Sequence, residues 1–234
     1  MRAIISLRPR LAAIADAVGG NRRLVIDVGT DHGYLPIYLV QSGLAERAIA
    51  SDIAVKPLKR AEAAIAEQGC ADRIALHLGN GLSGLEDSGA DCVVIAGMGG
   101  EMIADILENA PFVRQRQIDL VLQPMTRAEV LRRYLAEHGF AVTSEHLVSD
   151  DKLYQILSVR YDGIRRSISP FLAAVGEGNL VNRSVLLPIH LARLRQIYLT
   201  RLEGKRRAGI DASEEVEILS GIAEAEKEIC HDGR

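Results

Sequence analysis

The segment with the most chemically useful side chains runs from Asp27 to Gly33 and has the sequence Asp-Val-Gly-Thr-Asp-His-Gly. Glycines at its third and seventh positions allow the backbone to turn sharply and to approach a ligand closely. The Gly-x-Gly-x-x-Gly pattern of dinucleotide-binding proteins is absent, and Asp31 stands where it would repel a pyrophosphate. Carboxylates beside a glycine turn therefore favour a ligand that carries positive charge and no phosphate.

S-adenosylmethionine has these properties, because it carries an ammonium and a sulfonium group and lacks phosphate. We therefore interpret Asp27 and Asp31 as residues that bind this cofactor. A simpler interpretation stays open for Asp31, whose carboxylate could only cap the following helix.

Polar or glycine-rich segments also follow the next predicted strands. Asp52 ends the second strand, where a carboxylate can accept hydrogen bonds from both ribose hydroxyls. Asn80 and Gly81 follow the third strand and could bind an adenine edge or form an ordinary Asn-Gly turn. Residues 96–100, Ala-Gly-Met-Gly-Gly, follow the fourth strand, and Gln123 ends the fifth. Since parallel strands end at one edge of a sheet, these segments should share one rim.

The elements that position this rim are short apolar runs that alternate with helical patterns. Strands are predicted at residues 24–28, 48–52, 74–78, 92–96, 118–122, 142–148 and 153–161. Helices are predicted before the first strand and at 35–44, 57–68 and 128–138. The alternation predicts an α/β fold with a mainly parallel sheet. The last two strands are separated only by residues 149–152, so the sheet should end antiparallel. Seven strands with this ending are typical of a Rossmann-like methyltransferase fold.

The pattern changes near residue 162, which predicts domains at 1–162 and 163–234. Helical periodicity at 186–207 and 214–229 predicts an antiparallel hairpin with one basic and one acidic arm. Residues 160–207 have a net charge of +7 and residues 208–234 a net charge of −6. The basic surplus favours a polyanionic partner. The alternative is that Arg195 and its neighbours pair with the acidic arm.

The bulk composition of the 234 residues excludes several classes of protein. Three separated cysteines without a Cys-x-x-Cys pair, and six histidines without ligand spacing, predict neither disulfides nor a metal site. The N-terminus lacks the features of a signal peptide, and no stretch approaches a transmembrane length. We therefore expect a cytoplasmic protein without a membrane segment.

The segments at residues 27–36, 79–82, 95–100 and 122–124 resemble the bacterial tRNA (adenine-22-N1)-methyltransferase family in order and spacing. The resemblance extends over roughly the whole chain. It implies a class I methyltransferase fold, S-adenosylmethionine as cofactor, and N1 methylation of an adenine in the D-loop region of tRNA. Its motifs place cofactor contacts at Asp27, Gly29, Asp31, His32, Asp52, Asn80, Gly81, Ala96 and Gly97. Met125 departs from the family, which often has Asn there.

The chemistry that this implies needs an unstacked adenine and a group that favours the cationic product. Asp31, with His32 as a weaker candidate, is predicted to be catalytic. Residues predicted to bind the tRNA are Arg8, Arg10, Tyr34, Met98, Gln123, Arg193 and Arg195. Three alternatives stay open: a methyltransferase with another RNA, protein or small-molecule acceptor, a nucleotide-dependent dehydrogenase, and a non-enzymatic RNA-binding protein. We expect a monomer, although the hairpin could also mediate dimerisation.

Overall fold

Seven strands form one sheet in the computed structural model, which describes residues 3–232. The strands are β1 Arg22–Val28, β2 Ala45–Asp52, β3 Ile74–Leu78, β4 Cys92–Gly99, β5 Asp119–Thr126, β6 Phe140–Ser149 and β7 Leu153–Tyr161. The helices of the same residues are α1 Pro9–Val18, α2 Tyr34–Gln41, α3 Val55–Gln68, α4 Gly100–Glu108, α5 Phe112–Gln115, α6 Ala128–Glu137, α7 Pro170–Val175, α8 Glu177–Asn182, α9 Leu187–Arg207 and α10 Ser213–Asp232.

The strands lie in the order β3-β2-β1-β4-β5-β7-β6. Strands β1 to β5 pair in parallel, whereas β7 is antiparallel to both of its neighbours. Helices cover both faces, since the side chains of Val93 and Ile95 pack with α4 and α6, and that of Val94 packs with α1 and α2. The predicted seven-stranded α/β fold with an antiparallel ending is confirmed.

Two segments differ from their sequence-based prediction. Residues 97–99, expected to follow the fourth strand, belong to β4, because Met98 and Gly99 still pair with β5 across an irregular register. Helix α4 begins directly afterwards at Gly100. The segment between β3 and β4 contains turns and no helix, so the alternation of strand and helix is interrupted there.

Gly100 explains why α4 and α6 begin so close together. A Cβ atom at this position would overlap the carbonyl oxygen of Arg127, which precedes α6. Only glycine therefore permits this approach of the two segments that follow β4 and β5.

The C-terminal helices form the predicted antiparallel hairpin. Lys205 of α9 pairs with Glu215 of α10 at 2.8 Å, and Arg195 of α9 pairs with Glu226 of α10. The earlier residue of α9 thus pairs with the later residue of α10, as antiparallel helices require. Apolar side chains between α7, α9 and α10, among them Tyr198 and Ile222, form a small core of their own. No helix within residues 3–232 is both long enough and apolar enough to cross a membrane.

A buried ion pair fastens α7 and α8 to the sheet domain. Arg132 of α6 donates through Nε to Glu145 of β6 at 2.7 Å, and both side chains are 2% exposed. The same guanidinium donates to the carbonyl of Ala173 at 2.9 Å and to Gln155 Oε1 at 2.6 Å. Glu145 also accepts from the backbone N–H of Gly178 at 2.9 Å. The pair is thus satisfied on all sides and joins three parts of the chain.

Candidate active site

A cavity of about 230 Å³ opens at the carboxyl end of β1. Its wall combines the loop between β1 and α2 with one residue of β4 and two of α1. The lining residues are Arg10, Leu11, Asp27, Gly29, Thr30, Asp31, His32, Gly33, Tyr34, Leu35 and Ala96. The structure thus brings together five of the nine residues predicted to bind a cofactor.

Asp27 is the most buried acid of this cavity, with 7% of its surface exposed. Burial raises its pKa from an ordinary 3.8 to about 6, although a hydrogen bond with Thr30 and the charge of Arg10 act in the opposite direction. A nearby negative charge on Asp52 contributes to the rise. The ionised carboxylate is unfavourable here because burial removes its hydration, and a cationic ligand would offset that loss.

The conformation of the loop after β1 depends on its glycines and on hydrogen bonds to β2. The N–H groups of Gly29 and Thr30 both donate to the carbonyl of Ser51, at 2.8 and 3.0 Å. Gly29 has φ +82°, and a Cβ atom there would overlap the terminal methyl of Met98. Position 29 therefore needs glycine both for its backbone conformation and for space.

Asp31 does not cap the helix that follows it. The N-cap of α2 is Gly33, in a left-handed conformation without a side-chain capping bond. The carboxylate of Asp31 instead pairs with Arg60 of α3 and lies 3.3 Å from Nε2 of His32. The imidazole of His32 stacks on Tyr34 with ring centroids 5.3 Å apart. Asp31, His32 and Tyr34 thus form one polar and aromatic cluster at the cavity mouth.

The other predicted cofactor residues lie along the neighbouring strand ends. Asp52 ends β2 and accepts from the N–H of Ala54 at 2.7 Å, and it stands beside Leu78, the last residue of β3. Asn80 follows β3 and is exposed, with Gly81 next to it. Gly97 lies near the end of β4 with φ +80°. These residues are outside the 230 Å³ cavity but share its rim.

Arg10 enters the site from α1 rather than facing the solvent. Its Nη1 donates to Oε1 of Gln123 at 2.9 Å, and its guanidinium lies 5.4 Å from the ring centre of Tyr154. Gln123 is fully buried at the end of β5. Arg8, in contrast, is exposed and pairs with Asp150 at 2.7 Å.

Comparison with known proteins assigns this arrangement to a family. Residues 7–157 match the methyltransferase-domain family. The tRNA (adenine(22)-N(1))-methyltransferase of Bacillus subtilis is 34% identical over 181 residues, which are 72% of this chain and 76% of that protein. The chain belongs to the tRNA (adenine-22-N1)-methyltransferase family.

Solved structures agree with this assignment. A Streptococcus pneumoniae protein in complex with S-adenosyl-L-methionine superimposes with a TM-score of 0.80 and 30% identity, over 92% of this chain and 97% of that one. TrmK of M. capricolum, in complex with S-adenosyl-homocysteine, superimposes with a TM-score of 0.76 and 26% identity, over 97% of this chain and 98% of that one. Both superpositions cover more of the chain than the methyltransferase-domain match at residues 7–157.

The predicted tRNA-binding arginines of this methyltransferase lie in different surroundings. Arg193 of α9 donates to the carbonyl of Leu153 at 3.0 Å and is exposed. Arg195 pairs with Glu226 across the hairpin, as the alternative interpretation of the basic arm expected. Part of the positive charge is therefore compensated within the hairpin.

Three site residues escaped the sequence analysis. Thr30 bonds to Asp27, Arg60 holds Asp31, and Tyr154 lies against Arg10. Thr30 could have been found, because it lies inside the Asp27–Gly33 segment. Arg60 and Tyr154 are distant in sequence and carry no local signal. Within the described part of the chain, no three His, Cys, Asp or Glu side chains are grouped to hold a metal ion.

Proposed function

We propose that this protein transfers a methyl group from S-adenosylmethionine to N1 of adenine 22 in tRNA. The 34% identity with the B. subtilis enzyme of that activity, over most of both chains, is the observation that carries the proposal. The acid-lined cavity at the end of β1 supports it independently, because it suits a cationic cofactor. The tRNA substrate implies a cytoplasmic enzyme.

The residues at the rim fit S-adenosylmethionine. About 230 Å³ is below the usual size of a complete ligand pocket, so the cavity would enclose only the charged amino-acid end. We assign Asp27 and Asp31 to the positive groups of that end, with Gly29, His32, Ala96 and Gly97 lining its path. Asp52 would bind the ribose, and Asn80 with Gly81 the adenine.

The bound cofactor supplies an electrophilic methyl group on a sulfonium. The chain has to align the acceptor adenine, exclude water and favour the positive charge that develops on the base. Tyr34 is 49% exposed at the cavity mouth and offers a face for stacking. Asp31 and His32 lie beside Tyr34, where a carboxylate would favour the cationic ring or accept the N6 proton.

The first expected result concerns the product of the reaction. Purified protein, labelled S-adenosylmethionine and unmodified tRNA should yield N1-methyladenosine in tRNA. A transcript in which adenine 22 is replaced should yield none. Absence of the product from protein that binds the cofactor by calorimetry would contradict the tRNA proposal and point to another acceptor.

The second expected result concerns Asp31. An Asp31→Ala variant should lower kcat by about 100-fold if the carboxylate acts on the developing charge. His32→Ala should lower it less. Asp16→Ala, which removes an exposed acid from α1, serves as the control. Normal kcat in an Asp31→Ala protein saturated with cofactor would remove the catalytic role and leave Asp31 as a binding residue.

A further inference from the structure

A second cavity, of about 470 Å³, lies between the sheet domain and the hairpin. Its floor includes Pro124 and Met125 at the end of β5 and Tyr154 of β7, and its far wall includes Leu194 and Ile197 of α9. Its volume falls within the usual range for ligand pockets.

A thin partition separates this cavity from the cofactor cavity. Arg10 lines the cofactor cavity, and its guanidinium lies 5.4 Å from the ring centre of Tyr154, which lines the second one. Gln123, bonded to Arg10, directly precedes Pro124 in the floor. The hydroxyl of Tyr154 donates to Asp151 at 2.7 Å, which fixes the ring. A bound polymer that places one of its units before the cofactor can therefore place the adjacent unit in the second cavity.

The charge of the second cavity is strongly positive. Its wall contains the cations Arg127, Lys152, Arg193 and Arg201, but Glu129 is its one carboxylate among the residues that the structure describes. Arg127 and Arg201 both pair with Glu129, at 3.2 and 3.0 Å. Arg127 also pairs with Glu101, outside the wall, at 3.4 Å, so the lining residues and their ion-pair partners hold two positive charges in excess.

Two of these cations keep their charge available. No carboxylate in residues 3–232 lies within 4.0 Å of the side-chain nitrogens of Lys152 or Arg193. Arg193 is oriented by its bond to the carbonyl of Leu153, which leaves its charge uncompensated. Of the acids beside Lys152, Asp150 pairs with Arg8, whereas Asp151 accepts a hydrogen bond from the neutral hydroxyl of Tyr154 and keeps its charge without forming an ion pair with Lys152. A fixed anion is what such a pair attracts.

The rest of the wall suits an aromatic ring rather than more charge. Met125 is 38% exposed and Ile197 is 36% exposed, although both are large and apolar. Burial, with the charges of Arg132 and Arg193, lowers the pKa of His190 to about 4, so its imidazole is neutral near pH 7. Cationic groups that hold the backbone, beside aromatic or apolar side chains that contact the base, are a combination that binds unstacked nucleotides.

We infer that the second cavity binds the nucleotide next to the methylated adenosine, with its phosphate on Lys152 and Arg193 and its base against Met125 and Ile197. The inference rests on the proposed tRNA substrate and extends it to a second subsite. Phosphate contacts of this kind fix the register of a nucleic acid without reading its sequence. The subsite would thus hold the strand while the adenine occupies the catalytic cavity.

Methylation kinetics and tRNA binding of Lys152→Ala and Arg193→Ala test this inference. Each variant should raise KM for tRNA about tenfold while kcat and cofactor affinity stay the same. The slope of log K against log salt concentration should fall by about one per variant. Lys152→Arg should restore most of the affinity. The matched control is Arg47→Ala, which removes an exposed cation near the amino end of β2.

The outcomes separate the two proposals. If the natural protein methylates tRNA but both cavity variants match Arg47→Ala, the subsite is wrong and the proposed function stands. Weaker tRNA binding with an unchanged salt slope would also overturn the phosphate contacts. If the natural protein binds cofactor but does not methylate tRNA, the proposed function fails and the subsite falls with it.

Discussion

An Asp27→Asn protein should be more stable than the natural one in the absence of cofactor, by about 2 to 3 kcal/mol at pH 8. The reason is that burial raises the pKa of Asp27 from 3.8 to about 6. Between these values the folded state holds a proton that the unfolded state has released. The free energy of unfolding of the natural protein therefore falls as the pH rises from about 4 to about 6. Asparagine cannot ionise and avoids this loss.

The same change should weaken binding of S-adenosylmethionine about tenfold or more, because a charged contact with the cofactor is lost. Urea unfolding at pH 4, 6 and 8, with calorimetry of cofactor binding, measures both effects. The stability gain should be near zero at pH 4 and fully developed at pH 8. Asp16→Asn controls for the loss of one exposed acid. A gain that is independent of pH, or unchanged cofactor affinity, would contradict the assigned role of Asp27.

An Arg132→Met protein should lose about 3 to 5 kcal/mol of stability, since Glu145 is left as an uncompensated buried charge. For a chain of this length the unfolding temperature should fall by about 10 °C. Arg132 also donates to the carbonyl of Ala173, so its loss should release α7 from the sheet. We expect this release to weaken tRNA binding more than cofactor binding. Thermal unfolding with titration of both ligands measures these changes.

The adjacent arginine provides the matched control. Arg133 pairs with Glu214 at 2.6 Å, but both side chains are about one-third exposed, so Arg133→Met should cost less than about 1 kcal/mol. A double Arg132→Met, Glu145→Leu protein should recover much of the stability, because no charge remains buried. Equal losses in the two single variants would show that burial of the pair does not decide its contribution.

The sequence predicted the sheet because its central strands are buried on both faces and are therefore continuous apolar runs. Val93, Val94 and Ile95 are examples, with no exposed surface. The glycine segment at 27–33 could also be recognised from local sequence, because the positive φ angles of Gly29 and Gly33 favour glycine at these positions. The hairpin followed from helical periodicity and from arms of opposite charge.

Contacts between distant segments could not be predicted in this way. Arg10 was predicted to bind tRNA from its sequence context, but its place between the two cavities against Tyr154, 144 residues away in the chain, could not be predicted. The partnership of Arg60 with Asp31 likewise depends on how α3 docks against β2 and α2. Such pairings are set by tertiary packing, which leaves no pattern in either local segment.

The position of β7 in the sheet also determines when the sheet can be completed during synthesis on the ribosome. The catalytic rim and its five parallel strands are encoded by residue 126, but the outer edge of β5 is paired only by the last strand. Residues 127–161 must therefore be synthesised while that edge has no partner, for roughly 2 to 7 s at usual elongation rates. An unpaired apolar strand edge is prone to intermolecular pairing. The nascent chain is thus most vulnerable to aggregation after its cofactor site is encoded and before its hairpin exists.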